Sequence, residues 1–421
     1  MKLLIVSQYF WPESFVINAL ASALRTHCSE VVVVTGKPNY PSGRLFDGYS
    51  AAGVLRETFD SDIEIIRIPL RPRGSGGALA LGRNYSSFVL NSWRLPWLLR
   101  GRAFDAILAY CPSPITSAIP AIPLKWLKGA HLAVWIQDLW PQSLEATGYI
   151  RSRVLLGLAR RMVRMIYASA DTLLVPSKAF VGYVAADADA DKIVYYPNSL
   201  EPPPDTHEPV LPPELVHVLD THFCVVFAGN VGTAQSIETI INAAGRVTDL
   251  ADVRIVIVGT GSRLDWAAAR IAGLGLTNVV LVGRFPPTAM PAIFRRAKGV
   301  LVTLTAHEIF SLTVPSKVQA YLAAGRPIIA ALNGEGARII HEAGAGLTCA
   351  AEDDAALAER VRELHALPVG ERESYGRNGA RYFNEHFEMM SQARRLVDIL
   401  ERRSQEKNRN RAARSSGAGA A

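Results

Sequence analysis

Short, continuously apolar runs recur along the chain, and amphipathic stretches separate them. In the first half the runs are Leu3–Tyr9, Glu30–Gly36, Ile63–Pro69, Ala106–Cys111, Leu132–Asp138, Thr172–Ser177 and Ile193–Asn198. Most are apolar at nearly every position rather than at alternate ones, as strands covered on both faces are. Helical patterns such as Phe15–His27 and Val154–Ser169 lie between them. This alternation predicts an α/β fold with a parallel, doubly wound sheet. A second series follows: Phe223–Asn230, Arg254–Gly261, Val279–Phe285, Gly299–Thr305, Pro327–Leu332 and Gly346–Cys349.

The two series predict two facing Rossmann-like domains in tandem. Between them, residues 197–213 hold seven prolines, the composition of a stiff linker. The expected organisation is an N-terminal domain over 1–199, a linker over 200–214 and a second domain over 215–378. A helix over 379–403 then closes back toward the first domain, and a basic, disordered tail fills 404–421. Ligands of such sheets bind at the carboxyl ends of the strands. That rule selects the loops Ser7 to Phe15, Thr35 to Tyr49, Cys111 to Thr116 and Asp138 to Leu144 in the first half.

Composition narrows the classes. Apolar residues make up 49% of the 421 positions, enough for two sizeable cores. The four cysteines, Cys28, Cys111, Cys224 and Cys349, are far apart, which argues against zinc and disulfide frameworks and suits a reducing compartment. No stretch of 18 apolar residues is present, so no spanning helix is expected. The apolar start reads as a buried strand rather than a leader. The net charge of +7 is uneven: residues 1–170 carry +9, residues 171–400 carry −6 and residues 401–421 carry +4. A basic first half predicts an anionic partner there. Nucleic acid is not expected, because no helix-turn-helix, zinc-finger or RNP-like pattern occurs. Between Arg71 and Lys128, basic residues interleave with Trp93, Trp97 and Trp126. That is the composition of a surface for anionic membranes, and equally of a helix with a solvated basic face.

Several motifs sit at predicted strand ends. In the stretch 307–327, HEIFSLTVPSKVQAYLAAGRP, a strand and a loop lead into a helix. Glu308 opens it, and Ser316 and Lys317 stand at the helix start, where unpaired N–H groups suit an anion. An ordinary capped turn would look the same. The FAGNVG loop over 227–232, with Gln235 beyond it, lets backbone approach a ligand at Gly229 and Gly232. VGTGS over 258–262 is an incomplete dinucleotide fingerprint, more a tight turn than an NAD site, with Arg263 a candidate partner for diphosphate. Arg284 and Phe285 end a strand and could read and stack on a base. Asp138, in WIQDLWP, could cap a helix or accept a proton from a substrate hydroxyl. Tyr9 and Glu13 after the first strand, and Asn39 and Tyr40 after the second, could line an acceptor pocket. Their Pro and Gly neighbours also predict plain turns.

Taken in order, FAGNVG, VGTG, NVVLVGRF and PSKVQAYLAAGRPI resemble the retaining glycosyltransferases of family 4, which have the GT-B fold. QYFWPE, GKPNYPSG and IQDLWPQSLEATG narrow the resemblance to bacterial transferases that build colanic acid, capsule and O-antigen, including N-acetyl-L-fucosamine transferases. It covers about residues 1–400. The resemblance implies a nucleotide-diphosphate sugar donor, UDP-linked and carrying an N-acetylated or deoxy hexosamine, bound mainly by the second domain. It implies transfer with retention, no cofactor and no metal. It also implies a polyprenyl-diphosphate-linked saccharide as acceptor, with the protein cytoplasmic at the inner face of the plasma membrane. Gly232, Ser316 and Lys317 are then candidates for the diphosphate and Arg284 and Phe285 for the base, with Asn230, Gln235 and Arg263 as further donor-binding candidates. Glu308, Phe310 and Ser311 would meet the sugar. Asp138, Lys317 and Glu308 are the catalytic candidates, and Tyr9, Glu13, Asn39, Tyr40 and Asp138 the acceptor side. One departure stands out. The family's ribose-binding glutamate is replaced by Ala320, and Glu335 is a candidate substitute. A nucleotide-sugar 2-epimerase of the same fold and a non-catalytic membrane-associated assembly subunit are the alternative readings.

Overall fold

A computed structural model describes residues 1–60, 62–74, 77–146, 152–201 and 210–417, with backbone only at 78, 146, 408 and 410–417. Most of the expected linker, residues 202–209, lies outside the described residues. The chain divides into two units, Met1–Ser199 with Met389–Ala421, and Leu200–Glu388.

The first unit is built on eight strands: β1 (Lys2–Ser7), β2 (Glu30–Thr35), β3 (Leu55–Phe59), β4 (Ile63–Arg67), β5 (Ala106–Cys111), β6 (His131–Ile136), β7 (Thr172–Val175) and β8 (Ile193–Tyr195). Their order is β3-β4-β2-β1-β5-β6-β7-β8, parallel except for β3 against β4. β5 and β6 are buried at every position, because helices cover both faces. β3 is absent from the expected strands for a physical reason. It is a polar edge strand, with Arg56 and Glu57 paired to Glu64 and Arg67 of β4, so its sequence lacks an apolar run.

The second unit holds β9 (Phe223–Ala228), β10 (Val253–Val258), β11 (Val279–Gly283), β12 (Gly299–Thr303), β13 (Ile328–Ala331) and β14 (Gly346–Cys349). All are parallel, in the order β11-β10-β9-β12-β13-β14. This is a Rossmann order, whose direction reverses between β9 and β12. Ligands of such sheets sit at that reversal, so the loops after β9 and β12 are the first place to look.

The closing helix differs from the expectation of one helix over 379–403. The helix Val369–His386 belongs to the second unit and stops at Phe387, which is fully buried. There the Leu200 N–H donates to the Phe387 carbonyl at 2.9 Å, and Leu200 bridges Glu388, which diverts the backbone from helical geometry. A new helix, Met389–Gly417, then joins the first unit. Its Ala393, Leu396 and Leu400 are buried among Leu3, Ile5 and Leu24. The Tyr196 hydroxyl donates to the Gln392 carbonyl at 3.0 Å. The expected tail is corrected over residues 404–417, where helix runs on and the Lys407 ammonium meets Asp171 at 2.9 Å; residues 418–421 lie outside the described residues. Its Lys, Arg, Glu, Gln and Ala content favours helix despite its polarity.

Because Leu396 is fully buried in the first unit's core, Leu396→Ala should destabilise the protein by about 2–5 kcal/mol. Urea unfolding followed by far-UV circular dichroism measures this, and an unchanged midpoint would show that the last helix is not part of that core.

Candidate active site

The second unit contains a cavity of about 870 Å³, within the range of nucleotide-sized ligands. Its head lies at the carboxyl ends of β9, β10 and β11, where Gly229, Asn230, Gly259, Thr260, Arg284 and Phe285 line it. From there it runs between two helices, Met290–Arg296 and Ser316–Ala323. Lys317, Ala320, Tyr321 and Ala324 recur at helical spacing along one wall. Met290, Pro291, Phe294 and Arg295 form the other.

Two glycines make the head possible. Gly229 has φ +140, and a Cβ there would lie 2.5 Å from Lys317 Cε and 2.8 Å from its Nζ. Gly259 has φ +148, and a Cβ there would lie 1.8 Å from the Gly229 carbonyl oxygen. The loops therefore pack backbone on backbone, and the Lys317 stem fills the space a side chain would take at 229. The Gly229 N–H donates to the Val258 carbonyl at 2.8 Å, and the Gly259 N–H to the Gly283 carbonyl at 2.7 Å. Tyr321, fully buried one turn after Lys317, accepts from the Ala228 N–H at 3.0 Å. Helix and strand ends are thereby held in one register.

Lys317 is the charged centre of this arrangement. Its Nζ lies 3.9 Å from the centroid of the Phe227 ring and donates to the Gln235 side-chain oxygen. Neither partner is a carboxylate. Burial pushes its amine down to about 8, because the ammonium has left water without gaining an opposite charge. At 1.36 kcal/mol per pH unit, this disfavours the charged form by roughly 3 kcal/mol. An arriving anion would recover that energy. The helix start adds to the attraction. Its N-cap is Pro315, which makes no side-chain capping bond, so Ser316 does not cap the helix as a plain turn would require.

The remaining donor candidates are distributed as follows. Asn230, Arg284, Phe285 and Lys317 line the cavity, whereas Gly232, Gln235, Arg263, Glu308, Phe310, Ser311, Ser316 and Glu335 do not. Gln235 nonetheless bonds Lys317, and Gly232 carries the Asn230 amide at 2.5 Å from where a Cβ would be. Arg263 stacks on Trp266 with its guanidinium 4.1 Å from the ring centroid. Glu308 opens a short helix capped by His307, and the loop before it bonds the FAGNVG side through Thr305 N–H to the Ala234 carbonyl at 3.1 Å. Glu335 is buried, and its two oxygens accept from Arg338 at 3.0 Å each, so its charge is already matched. Ala320 does line the wall, leaving that stretch apolar. The one carboxylate among the lining residues is Glu201, which the sequence reading did not single out. Its position directly after the proline-rich boundary at Pro197-Asn198 was the available signal.

The acceptor candidates occupy the first unit's strand-end loops. Glu13 is buried and pushed up to about 7, chiefly by desolvation. It accepts from the backbone N–H groups of Phe10 at 3.2 Å, Asn39 at 2.8 Å and Tyr40 at 2.7 Å. It thus clasps the loop after β1 to the loop after β2. Tyr9 and Asn39 are also buried, so these three shape the surface rather than form it. Tyr40 is 37% exposed, and Arg73 lies over its ring at 5.1 Å. Arg67, fully buried and also missed, binds Glu57 and the carbonyls of Gly36 and Trp11. Asp138, at the end of β6, accepts from the Trp140 indole at 3.1 Å, and desolvation raises its carboxyl. Among the described residues, no group of three or more His, Cys, Asp or Glu is placed to hold a metal ion.

Each unit carries a largely parallel α/β sheet, and the second holds a cavity with Lys317 and Arg284 at its strand ends. A model described as "Glycosyl transferase 4-like domain" matches residues 14–199, and one described as "Glycosyl transferases group 1" matches residues 222–366. The chain belongs to the family-4 glycosyltransferases, with the GT-B fold. It is 27% identical to a Pseudomonas aeruginosa protein named as a glycosyltransferase, WbjE, over 64% of this chain and 68% of that one. It is 24% identical to WcaI of Escherichia coli K12, named for colanic acid biosynthesis, over 77% and 82%. Anabaena HepE, solved with UDP, superposes with a TM-score of 0.64 at 13% identity, covering 95% of this chain and all of that one. An E. coli trehalose-6-phosphate protein bound to UDP-2-fluoro glucose gives 0.68 at 12%, covering 95% and 99%.

The depressed amine makes anion binding pH-dependent. Below about pH 8 Lys317 is charged in the empty protein; above it, binding an anion must take up a proton. Affinity for UDP should therefore fall as pH rises from 8 to 9.5, by up to about tenfold per unit. Lys317→Met should bind weakly with no such slope. Calorimetric titration with UDP checks this, and a wild-type affinity that stays flat to pH 9.5 would contradict it.

Proposed function

We propose that the chain is a retaining, metal-independent glycosyltransferase of surface polysaccharide biosynthesis. Its donor is a UDP-linked sugar, an N-acetylated or deoxy hexosamine, and its acceptor a saccharide on a polyprenyl diphosphate. The observation that carries the reading is the Lys317 ammonium, partly buried at the cavity head against Phe227 and Gln235, neither of them a carboxylate. A diphosphate is the natural counterion for that position, with Arg284 and Phe285 beside the base. The names of the relatives support the pathway, and the structural neighbours solved with UDP or a UDP-sugar support the donor.

In this mechanism, the acceptor hydroxyl oxygen bonds to the sugar's anomeric carbon on the face that the diphosphate is leaving. The carbon–oxygen bond to phosphate breaks, and the hydroxyl proton passes to the departing phosphate oxygen. Lys317 stabilises the charge growing on that oxygen, an effect larger in a dry site than in water. Glu308 and the backbone of Phe310 and Ser311 hold the sugar hydroxyls. Asp138, through its carboxyl, orients the attacking hydroxyl. No protein nucleophile takes part.

Lys317→Ala should lower kcat by about 10²–10³-fold with little change in melting temperature, since it removes a desolvated charge. Turnover should be unchanged in EDTA, and NMR should show the anomeric configuration retained. Loss of activity in EDTA, or a Lys317→Ala enzyme within a few-fold of wild type, would contradict the reading. Conversion of the sugar nucleotide with no acceptor present would instead identify an epimerase.

A further inference from the structure

We propose that a tryptophan-bearing face of the first unit docks on an anionic lipid bilayer. The exposure, charge and anchoring of this face are separate from the donor chemistry at Lys317. The helix Ala78–Asn91 passes through a 3₁₀ turn, Ser92–Arg94, into the short helix Leu95–Leu98. Phe88, Leu95 and Leu99 are fully buried and fix this segment from beneath. Leu90, Trp93 and Trp97 face outward, 70%, 60% and 65% exposed. The two indoles meet edge to face with centroids 5.4 Å apart, so they form one feature.

The helix Ala121–Lys128 extends the face. The Lys128 ammonium donates to the carbonyls of Leu99 at 2.6 Å and Arg102 at 2.8 Å, which fixes the helix beside Leu95–Leu98. Its Leu124 is buried, and its Trp126 and Leu127 are 73% and 62% exposed. The three tryptophans together present roughly 400 Å² of indole surface. With the two leucines this exceeds what scattered surface apolars leave on a soluble protein.

Charge selects the occupant. Residues 71–128 hold eight basic residues against one acid, Asp105; Arg102 is matched by Glu64 and Lys125 by Asp171, so the charge of the face is carried by its exposed arginines. Arg83 and Arg100 are exposed, and Arg94 lies over the Trp93 ring at 4.9 Å. A second copy of this chain would set this positive face against itself. An anionic bilayer matches it, with indoles at the headgroup level and guanidinium groups toward the phosphates. Among the described residues no helix is long and apolar enough to cross a membrane, so the face would hold the protein on the surface.

The test is co-sedimentation of the full chain with vesicles of phosphatidylcholine alone or mixed equally with phosphatidylglycerol, without donor or acceptor. Binding should be strong to the mixed vesicles, weak to the neutral ones, and reduced by raised salt. The triple variant Trp93→Ala/Trp97→Ala/Trp126→Ala should lose at least tenfold in partitioning at an unchanged melting temperature. Arg83→Glu/Arg100→Glu, which spares every indole, should lose the preference for anionic vesicles. Wild-type protein that stays in the supernatant, or a triple variant that binds equally, would overturn the proposal. So would a wild-type dimer that the triple variant converts to monomer, since the occupant would then be a second copy. Either failure leaves the donor chemistry at Lys317 untouched.

Discussion

The second unit is arranged around one partly buried ammonium, Lys317, whose contacts are a ring face and a neutral amide rather than a carboxylate. Placing Lys317 there requires several things at once. A residue without a side chain is needed at 229, an aromatic face at Phe227, a neutral acceptor at Gln235, and a fixed helix register. Tyr321 supplies the last by bonding the end of β9 from the next turn of the same helix. A carboxylate in place of Gln235 would settle the charge and leave nothing for a ligand to gain. The site is thus pre-organised and mildly destabilised, the condition under which a bound anion gains most.

The first unit shows the opposite treatment of charge. Arg67 is fully buried but satisfied by Glu57 and two carbonyls, and Glu13 is satisfied by three backbone N–H groups. These groups consume their bonding capacity in fixing loops. That leaves Tyr40 and Arg73 as side chains whose position these loops determine. A charge whose valences are filled shapes a site, whereas one left open receives a ligand.

Much of this was legible in the sequence. Among the described residues the apolar runs mark thirteen of the fourteen strands, because a parallel strand buried on both faces has no polar alternation to confuse. β3 escaped because an edge strand is polar by necessity. The helix break at Phe387 escaped because its cause is Leu200, nearly two hundred residues away, and helical periodicity carries no trace of such a contact. At the site, PSK and FAGNVG pointed to Lys317 and Gly229, since glycine and lysine at strand ends have few structural substitutes. The groove below them was not legible. Its walls are Ala320, Ala324, Met290 and Phe294, ordinary core residues whose exposure to a cavity depends on how two helices are spaced. Glu335, a candidate ribose ligand by sequence, is matched by Arg338 one turn along its own helix.

The central claim is that Lys317 waits for an anion. The most direct measurement is the titration of its side-chain nitrogen by NMR in selectively labelled protein, empty and saturated with UDP. The account predicts a midpoint near 8 in the empty protein, moving upward when UDP binds. A midpoint at the ordinary lysine value in both states would show that the ammonium is neither desolvated nor the partner of the nucleotide.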